Sequence, residues 1–179
     1  MQNKVIAATR SYEEIVLAAK SDVSIVFDLN PDILSVCENI RTLHDKGKKL
    51  FVHLDLADGI GKDRSGIVYL KNAGVDGIIS TRSSIIKTAH ELGLATVQRF
   101  FIVDSHSVDT TVESLKTSKA QMIEVMPGGV AKIVKKLKAI VNVPIIAGGL
   151  IETKEELESA LESGAFAVST GARALWNVK

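Results

Sequence analysis

The sequence predicts a compact single-domain α/β protein over residues 1–179, in which eight parallel strands and their helices form a closed barrel. Three observations predict this fold: eight short β-branched runs recur along the chain, segments with helical spacing lie between them, and glycines follow several of the helical segments. Near-continuous apolar runs are typical of strands buried on both faces, as in a parallel sheet. A composition of 46% hydrophobic and 24% charged residues is sufficient for one sizeable core.

Each strand is predicted from a run of β-branched and apolar residues. In chain order, the strands are expected over 5–8, 24–27, 50–54, 76–79, 95–98, 122–125, 144–147 and 166–168. Apolar residues three and four positions apart predict helices over 11–20, 31–46, 130–140 and 153–161. Four glycines stand just past predicted helices, where a left-handed residue is favoured: Gly47, Gly74, Gly93 and Gly164.

An open, doubly wound sheet is the alternative architecture. A dinucleotide-binding sheet of that kind would carry a G-x-G-x-x-G turn after its first strand, and none is present there. Eight successive strand–helix units favour closure into a (β/α)8, TIM-type barrel. Such barrels typically have about 250 residues. We therefore expect short loops and reduced helices in this chain of 179 residues.

Composition excludes several classes of protein. The formal net charge of +1 predicts no overall attraction to nucleic acid or to a membrane surface. The longest uncharged stretch, 139–151, is too short to span a bilayer, and residues 1–10 lack the apolar core of a secretion signal. The single cysteine, Cys37, excludes an internal disulfide and is expected to pack on a helix. These features predict a cytoplasmic protein with no membrane partner.

The ends of the predicted strands carry polar, cationic or glycine residues, and in this fold binding and chemistry occur at the carboxyl ends of the strands. The clearest signal is Gly148-Gly149 after the seventh strand, together with Ser169-Thr170-Gly171 after the eighth. Phosphate-binding barrels use backbone N–H groups at this location, where glycine allows close approach and hydroxyl groups add donors. These residues predict a phosphate site. The alternative is that Gly148 and Gly149 form only a tight turn.

Three arginines, Arg10, Arg82 and Arg99, also stand at predicted strand ends. An inward-facing arginine is costly unless it meets an anion, so together they predict an anionic small ligand. Each of them could instead pair with a carboxylate on a helix.

The string FVHLDLADG places His53 and Asp55 two residues apart, on one face of a strand. These two residues, with Glu124, are candidates for contacts with the hydroxyl groups of a polyol or for acid/base chemistry. A divalent metal site needs more ligands than this pair supplies, and no lysine ends a predicted strand, which removes the Schiff-base aldolases. We therefore expect no metal, no cofactor and no catalytic residue.

Several longer segments follow one another in a specific order and spacing. They are 6–10, 51–56, 76–82, 98–105, 123–128, 144–151 and 167–170, followed by Leu175-Trp176. In these segments the chain resembles the glycerol-3-phosphate-responsive antiterminators, regulators of bacterial glycerol-uptake operons, over nearly its whole length. Thr9 departs from the valine expected in many members, whereas Arg10 is kept.

The resemblance implies a compact barrel that binds glycerol 3-phosphate and is not an enzyme. It also implies binding to the leader mRNA of a glycerol-utilisation operon, which allows transcription to pass a terminator. Two basic clusters are candidate RNA contacts, although a solvated helix face explains the second as well: Lys46, Lys48 and Lys49, and Lys132, Lys135 and Lys136.

Two other functions stay open. The first is an isomerase, epimerase or lyase acting on a phosphosugar or phosphopolyol, with His53, Asp55 and Glu124 as its acid/base residues. The second is a ligand sensor that acts through a protein partner. A homo-oligomer is equally compatible with the sequence.

Overall fold

The computed structural model describes residues 3–178 and contains a closed barrel of eight parallel strands in sequence order. The strands are β1 (Val5–Thr9), β2 (Ile25–Asp28), β3 (Lys49–His53), β4 (Gly77–Ser80), β5 (Ala95–Phe101), β6 (Met122–Met126), β7 (Ile145–Gly148) and β8 (Ala167–Thr170). β1 pairs with β8 and closes the barrel, with Val5 opposite Val168. The predicted barrel and its eight strands are confirmed.

Seven α-helices surround the barrel in residues 3–178. They are α1 (Tyr12–Lys20), α2 (Val36–His44), α3 (Arg64–Ala73), α4 (Ser83–Glu91), α5 (Ser105–Ser118), α6 (Ala131–Lys138) and α7 (Lys154–Glu162). After β8 the described chain forms only the short 3-10 turn Arg173–Leu175. Each helix returns antiparallel to its strand, so helices begin at the carboxyl end of the barrel and finish at its amino end. The short helices and single closing turn explain how this barrel fits into 179 residues.

The predicted helix over 31–46 begins too early. α2 starts at Val36 because the preceding backbone pairs with the loop after β3. Asp58 N–H donates to the Pro31 carbonyl (2.8 Å), and Ile33 N–H donates to the Asp58 carbonyl (3.1 Å). These bonds connect the two loops into one unit at the carboxyl end. At the other end of α2 the chain turns through Gly47, whose φ of 68° is the left-handed conformation predicted there.

Two apolar layers hold the barrel together. One lies between strands and helices, and the other fills the barrel interior with alternate strand residues that include Ile6, Phe27, Phe51 and Val97. Gly77 makes room for the Phe51 ring, because a Cβ on Gly77 would lie 2.4 Å from that ring. The same alternation places polar side chains above this layer: Arg99, Glu124 and Ser169 stand two residues after the inward-facing Val97, Met122 and Ala167.

Candidate functional site

A cavity of about 450 Å³ opens at the carboxyl end of the barrel, among the ends of β1, β5, β6, β7 and β8. This volume is in the range of small-molecule sites. Its lining consists of Ala8, Arg10, Leu29, Arg99, Glu124, Met126, Gly149, Leu150, Ile151, Glu152, Ser169, Thr170, Gly171 and Ala172. It therefore brings together residues from both the beginning and the end of the chain.

The floor of the cavity is a buried ion pair held by a hydroxyl group. Arg99 Nε donates to Glu124 Oε2 (2.5 Å), and Ser169 Oγ donates to Glu124 Oε1 (2.5 Å). The two charged side chains are only 6% and 1% exposed. Both carboxylate oxygens are thereby fixed, and each keeps a second lone pair that can accept from a ligand hydroxyl.

The loops after β7 and β8 form one wall of the cavity. Gly149 and Leu150 are both left-handed, with φ of 75° and 56°, and the Leu150 side chain is 74% exposed. Thr170 Oγ1 donates to the Ile151 carbonyl (2.6 Å) and accepts from Ala172 N–H (2.9 Å), so its hydroxyl joins the two loops. Within residues 3–178, the N–H groups of Leu150 and Gly171 donate to no protein atom, which makes them available to an anion.

Arg10 supplies a cation at the rim of the cavity. Its backbone N–H donates to Glu14 Oε2 (2.7 Å), but its guanidinium forms no ion pair with any carboxylate of residues 3–178. Glu14 pairs instead with Arg173, whose Nη2 lies 2.9 Å from Glu14 Oε1. The positive charge of Arg10 is therefore left for a ligand.

Asp55, on the opposite side of the barrel mouth, is saturated by protein donors. It accepts hydrogen bonds from Ser80 Oγ (2.8 Å), Thr81 N–H (2.7 Å), Thr81 Oγ1 (2.9 Å) and Arg82 Nε (3.0 Å). Burial favours the neutral acid, but the hydrogen bonds from Thr81, Ser80 and Arg82 outweigh it and lower the pKa of Asp55. Asp55 and Arg82 thus form an ion pair with each other, and neither residue lines the cavity.

His53 lies on the interior face of β3, below the mouth. The residue is 3% exposed, and its Nδ1 has no hydrogen-bond partner among residues 3–178. Burial and the positive charge of Arg99 lower the pKa of His53 to about 4, so the imidazole is neutral at pH 7. His53 does not line the cavity.

The structure groups seven of the predicted ligand residues around the cavity: Arg10, Arg99, Glu124, Gly149, Ser169, Thr170 and Gly171. It places Arg82, His53, Asp55 and Gly148 outside the lining. Gly148 supports the floor, because a Cβ at this position would lie 2.5 Å from Glu124 Oε1 and 2.6 Å from Ser169 Oγ.

Sequence inspection missed seven residues that also line the cavity: Ala8, Leu29, Met126, Leu150, Ile151, Glu152 and Ala172. Met126 could have been found from its spacing, because it stands two residues after Glu124 and therefore shares its face. Leu150, Ile151 and Glu152 lie beyond the end of β7, where no strand periodicity applies.

The predicted RNA-contacting lysines divide into two groups. The assignment of Lys48 was wrong: its side chain is buried, and its ammonium donates to the carbonyls of Ser21 and Val23, both at 2.6 Å. It links the turn between α2 and β3 to the turn between α1 and β2. The other predicted lysines are exposed: Lys46, Lys49, Lys132, Lys135 and Lys136.

Residues 3–178 contain neither a cluster of metal ligands nor a membrane-spanning helix. No group of three His, Cys, Asp or Glu side chains is arranged to share a metal ion. No helix there combines the length and apolar character that a membrane span requires.

Fold and cavity together define a class of protein: a closed (β/α)8 barrel with a polar, arginine-containing cavity at the carboxyl ends of its strands. Within this class, the chain belongs to the glycerol-3-phosphate responsive antiterminator family, whose model matches residues 5–176. The family predicted from the sequence is thereby confirmed.

Individual relatives cover almost the whole chain. The uncharacterized protein YgcP of Escherichia coli K12 is 32% identical over 178 residues, which are 99% of this chain and 93% of YgcP. The crystal structure of a glycerol uptake operon antiterminator regulatory protein from Listeria monocytogenes matches with a TM-score of 0.92 and 30% identity, covering 98% of this chain and 96% of that one. A glycerol uptake operon antiterminator-related protein from Thermotoga maritima matches with a TM-score of 0.87 and 35% identity, covering 98% and 99%.

Proposed function

We propose that this chain is a glycerol 3-phosphate sensor that acts as a transcription antiterminator and has no catalytic activity of its own. The observation that carries the proposal is the cavity, in a chain of this family. Its rim offers an arginine and backbone N–H groups that have no partner within residues 3–178, and its floor offers a fixed carboxylate. A ligand with a phosphate at one end and hydroxyl groups at the other matches both parts.

The phosphate is assigned to the rim, between the Arg10 guanidinium and the N–H groups of Leu150 and Gly171. Hydrogen bonds from a guanidinium to a phosphate are charge-assisted and are about twice as strong as neutral ones. Glycine at 149 and 171 lets the backbone approach the phosphate oxygens closely. Thr170 contributes by holding the two loops together through the Ile151 carbonyl.

The glycerol hydroxyl groups are assigned to the floor, where Glu124 is held between Arg99 and Ser169. A buried carboxylate discriminates strongly in favour of a ligand that can donate to it. Inorganic phosphate lacks the carbon chain that reaches the floor, and glycerol lacks the charge that binds the rim. The site therefore requires both ends of the ligand.

The regulatory step in this proposal is linkage. Glycerol 3-phosphate raises the affinity of the protein for the leader mRNA of a glycerol-utilisation operon by binding more tightly to the RNA-competent conformation. Bound protein then allows transcription to pass the terminator. Thermodynamic reciprocity requires that the leader RNA raise the affinity for glycerol 3-phosphate by the same factor.

Thermal unfolding in the presence of glycerol 3-phosphate, glycerol or inorganic phosphate tests the ligand. At about 100 times its dissociation constant, the true ligand stabilises the protein by about 2.7 kcal/mol. We expect this effect from glycerol 3-phosphate alone. Arg10→Ala should lower the affinity for glycerol 3-phosphate about tenfold or more. The matched control is Arg82→Ala, which removes an arginine at the same end of the barrel but outside the cavity.

Two results would contradict the proposal. Stabilisation by a different sugar phosphate, accompanied by its turnover, would favour the isomerase, epimerase or lyase. Stabilisation by glycerol 3-phosphate without any change in leader-RNA affinity would favour a sensor that acts through a protein partner.

A further inference from the structure

Charge is segregated between the two ends of the barrel. Helix first turns and N-caps, which lie at the carboxyl end, carry the acidic residues Glu13, Glu14, Glu38, Asp63, Asp104, Glu155 and Glu156. Last turns, which lie at the amino end, carry the basic residues Lys20, Arg41, Lys71, Lys116, Lys135, Lys136 and Lys138. The polarity is partial, because the carboxyl end also carries Lys62, Arg64 and Lys154, and the amino end also carries Asp45, Glu91 and Glu162. The net charge of +1 does not reveal it.

Helix dipoles explain only part of the segregation. A cation in the last turn of a helix offsets the partial negative charge there, so one basic residue per helix is expected from local stability. Dipoles do not account for three lysines in the last turn of α6, nor for Lys46, Lys49 and Lys119, which lie outside the helices and are exposed. The excess of positive charge at the amino end therefore needs another reason.

The sector around α6 combines this charge with exposed apolar groups. Lys135, Lys136 and Lys138 are exposed, and none of them forms an ion pair within residues 3–178. Phe166, just before β8, is 58% exposed, and Ile140, just after α6, is 49% exposed. Unpaired lysines beside an open aromatic ring are the chemistry that binds single-stranded nucleic acid, through phosphate contacts and base stacking.

Packing brings these groups together. A Cβ on Gly164 would lie 3.1 Å from Lys138 Cγ, so the Lys138 stem rests on the turn that leads into Phe166. Phe166 N–H donates to the Ile145 carbonyl (2.7 Å), which fixes the turn against the start of β7. The turn before Phe166 and the Lys138 stem are therefore in contact, and Lys135 stands one helical turn from Lys138 on the same side of α6.

We propose that the amino end of the barrel is the RNA-binding surface, centred on a basic face formed by Lys135, Lys136, Lys138 and Phe166. The identity of the partner as RNA rests on the proposed function. The carboxyl end is a poor alternative, because the acidic first turns of α1 and α7 would repel a phosphate backbone. RNA and glycerol 3-phosphate thus occupy opposite ends of the barrel, and the RNA does not cover the ligand.

A pair of matched double variants tests this surface. Lys135→Ala/Lys136→Ala removes two exposed cations from the basic face, and Lys62→Ala/Arg64→Ala removes two exposed cations from the carboxyl end. Affinity for the leader RNA, with glycerol 3-phosphate present, is measured from 50 to 300 mM salt. The plot of log K against log salt has a negative slope, and each lost phosphate contact reduces the magnitude of that slope by about 0.7 to 0.9. In the basic-face variant the magnitude of this slope should fall by about 1.5, and the affinity for RNA should fall about tenfold. The control variant should match the wild type in both quantities.

Phe166→Ala adds a test that charge cannot mimic. Loss of one stacking contact should weaken RNA binding about fivefold or more and leave the salt slope unchanged. Glycerol 3-phosphate should stabilise all three variants as it does the wild type, which separates a lost RNA surface from a misfolded barrel.

The outcomes separate this inference from the proposed function. If the wild type binds leader RNA and the two double variants lose affinity equally, or only the carboxyl-end variant loses it, the surface is wrong and the function stands. If the wild type binds no RNA but sediments with phosphatidylglycerol vesicles through Lys135 and Lys136, RNA is the wrong partner and the proposed antiterminator function fails as well.

Discussion

The two sides of the barrel mouth contain the same chemical groups in different states. On one side, Arg99 pairs with Glu124 on the floor of the cavity; on the other, Arg82 pairs with Asp55 beside β4. The first pair is 6% and 1% exposed, whereas the second is 47% and 14% exposed. Asp55 accepts four protein hydrogen bonds and Glu124 accepts two. Residue type alone therefore does not identify a binding site. A site is identified by the polar groups that can still form hydrogen bonds after the protein has folded.

The largest expected effect comes from breaking the buried pair. Arg99→Ala leaves the Glu124 carboxylate buried without its cation, which typically costs about 3–5 kcal/mol of stability. Arg82→Ala removes the exposed pair, which is worth about 0–1 kcal/mol. Urea unfolding of both variants measures the difference. Equal losses would mean that the two sides of the mouth are energetically alike.

Filling the space beside the floor should have the next largest effect. In Gly148→Ala the new methyl group meets the Glu124 and Ser169 oxygens at 2.5 and 2.6 Å. We expect a loss of about 1–3 kcal/mol, as in other overpacked interiors. Gly171→Ala is the control, since its nearest contact would be an ordinary 3.6 Å to the Ala8 carbonyl oxygen. Comparable unfolding midpoints for the two variants would contradict a tightly packed floor.

The smallest of the three effects concerns pH and His53, on the side of the mouth away from the cavity. Its pKa is about 4 in the folded protein and about 6.5 in an unfolded chain, so the unfolded state binds the proton first. The resulting stability is complete above pH 6.5 and is lost as the pH falls towards 4. At pH 5 the loss is about 1–2 kcal/mol.

Urea unfolding of the wild type and His53→Asn at pH 7 and pH 5 tests this effect. The wild type should lose more stability than the variant between the two pH values. Burial raises the pKa of Asp28, and hydrogen bonds lower the pKa values of five other carboxylates. All six groups are present in both proteins, so their titration cancels in the comparison: Asp28, Glu13, Glu14, Asp55, Asp104 and Glu156. Identical losses in both proteins would show that the buried imidazole does not resist protonation.

Local patterns predicted the barrel and much of its site, because each strand and its polar end are determined by residues that are adjacent in the sequence. Seven predicted residues line the cavity for this reason. The errors involve contacts between distant parts of the chain. Lys48 is buried by carbonyl groups 25 and 27 residues away, and Arg82 meets Asp55 across 27 residues. Nothing in the string KGKK distinguishes the lysine that turns inward from its neighbours.

The proposed RNA-binding surface could be predicted only in part: Lys135 and Lys136 were candidates from the sequence, whereas Phe166 was not. The net charge is a sum over the whole molecule, whereas a polyanion contacts only one end of it. The net charge therefore does not report a local basic surface. Lys135 and Phe166 are separated by the whole of α7, and only the packing of Gly164 against Lys138 places them on one surface.

Closure of the barrel by β1 and β8 has a consequence for the time at which the protein can respond. The cavity combines Arg10, near the first strand, with Ser169 and Gly171, at the last. A nascent chain still lacking 167–171 has neither the closing strand, nor the hydroxyl that holds Glu124, nor the final loop. No earlier portion of the chain can assemble the cavity during translation. The cavity can therefore bind a ligand only after β8 has left the ribosome, and a product truncated before β8 lacks the site.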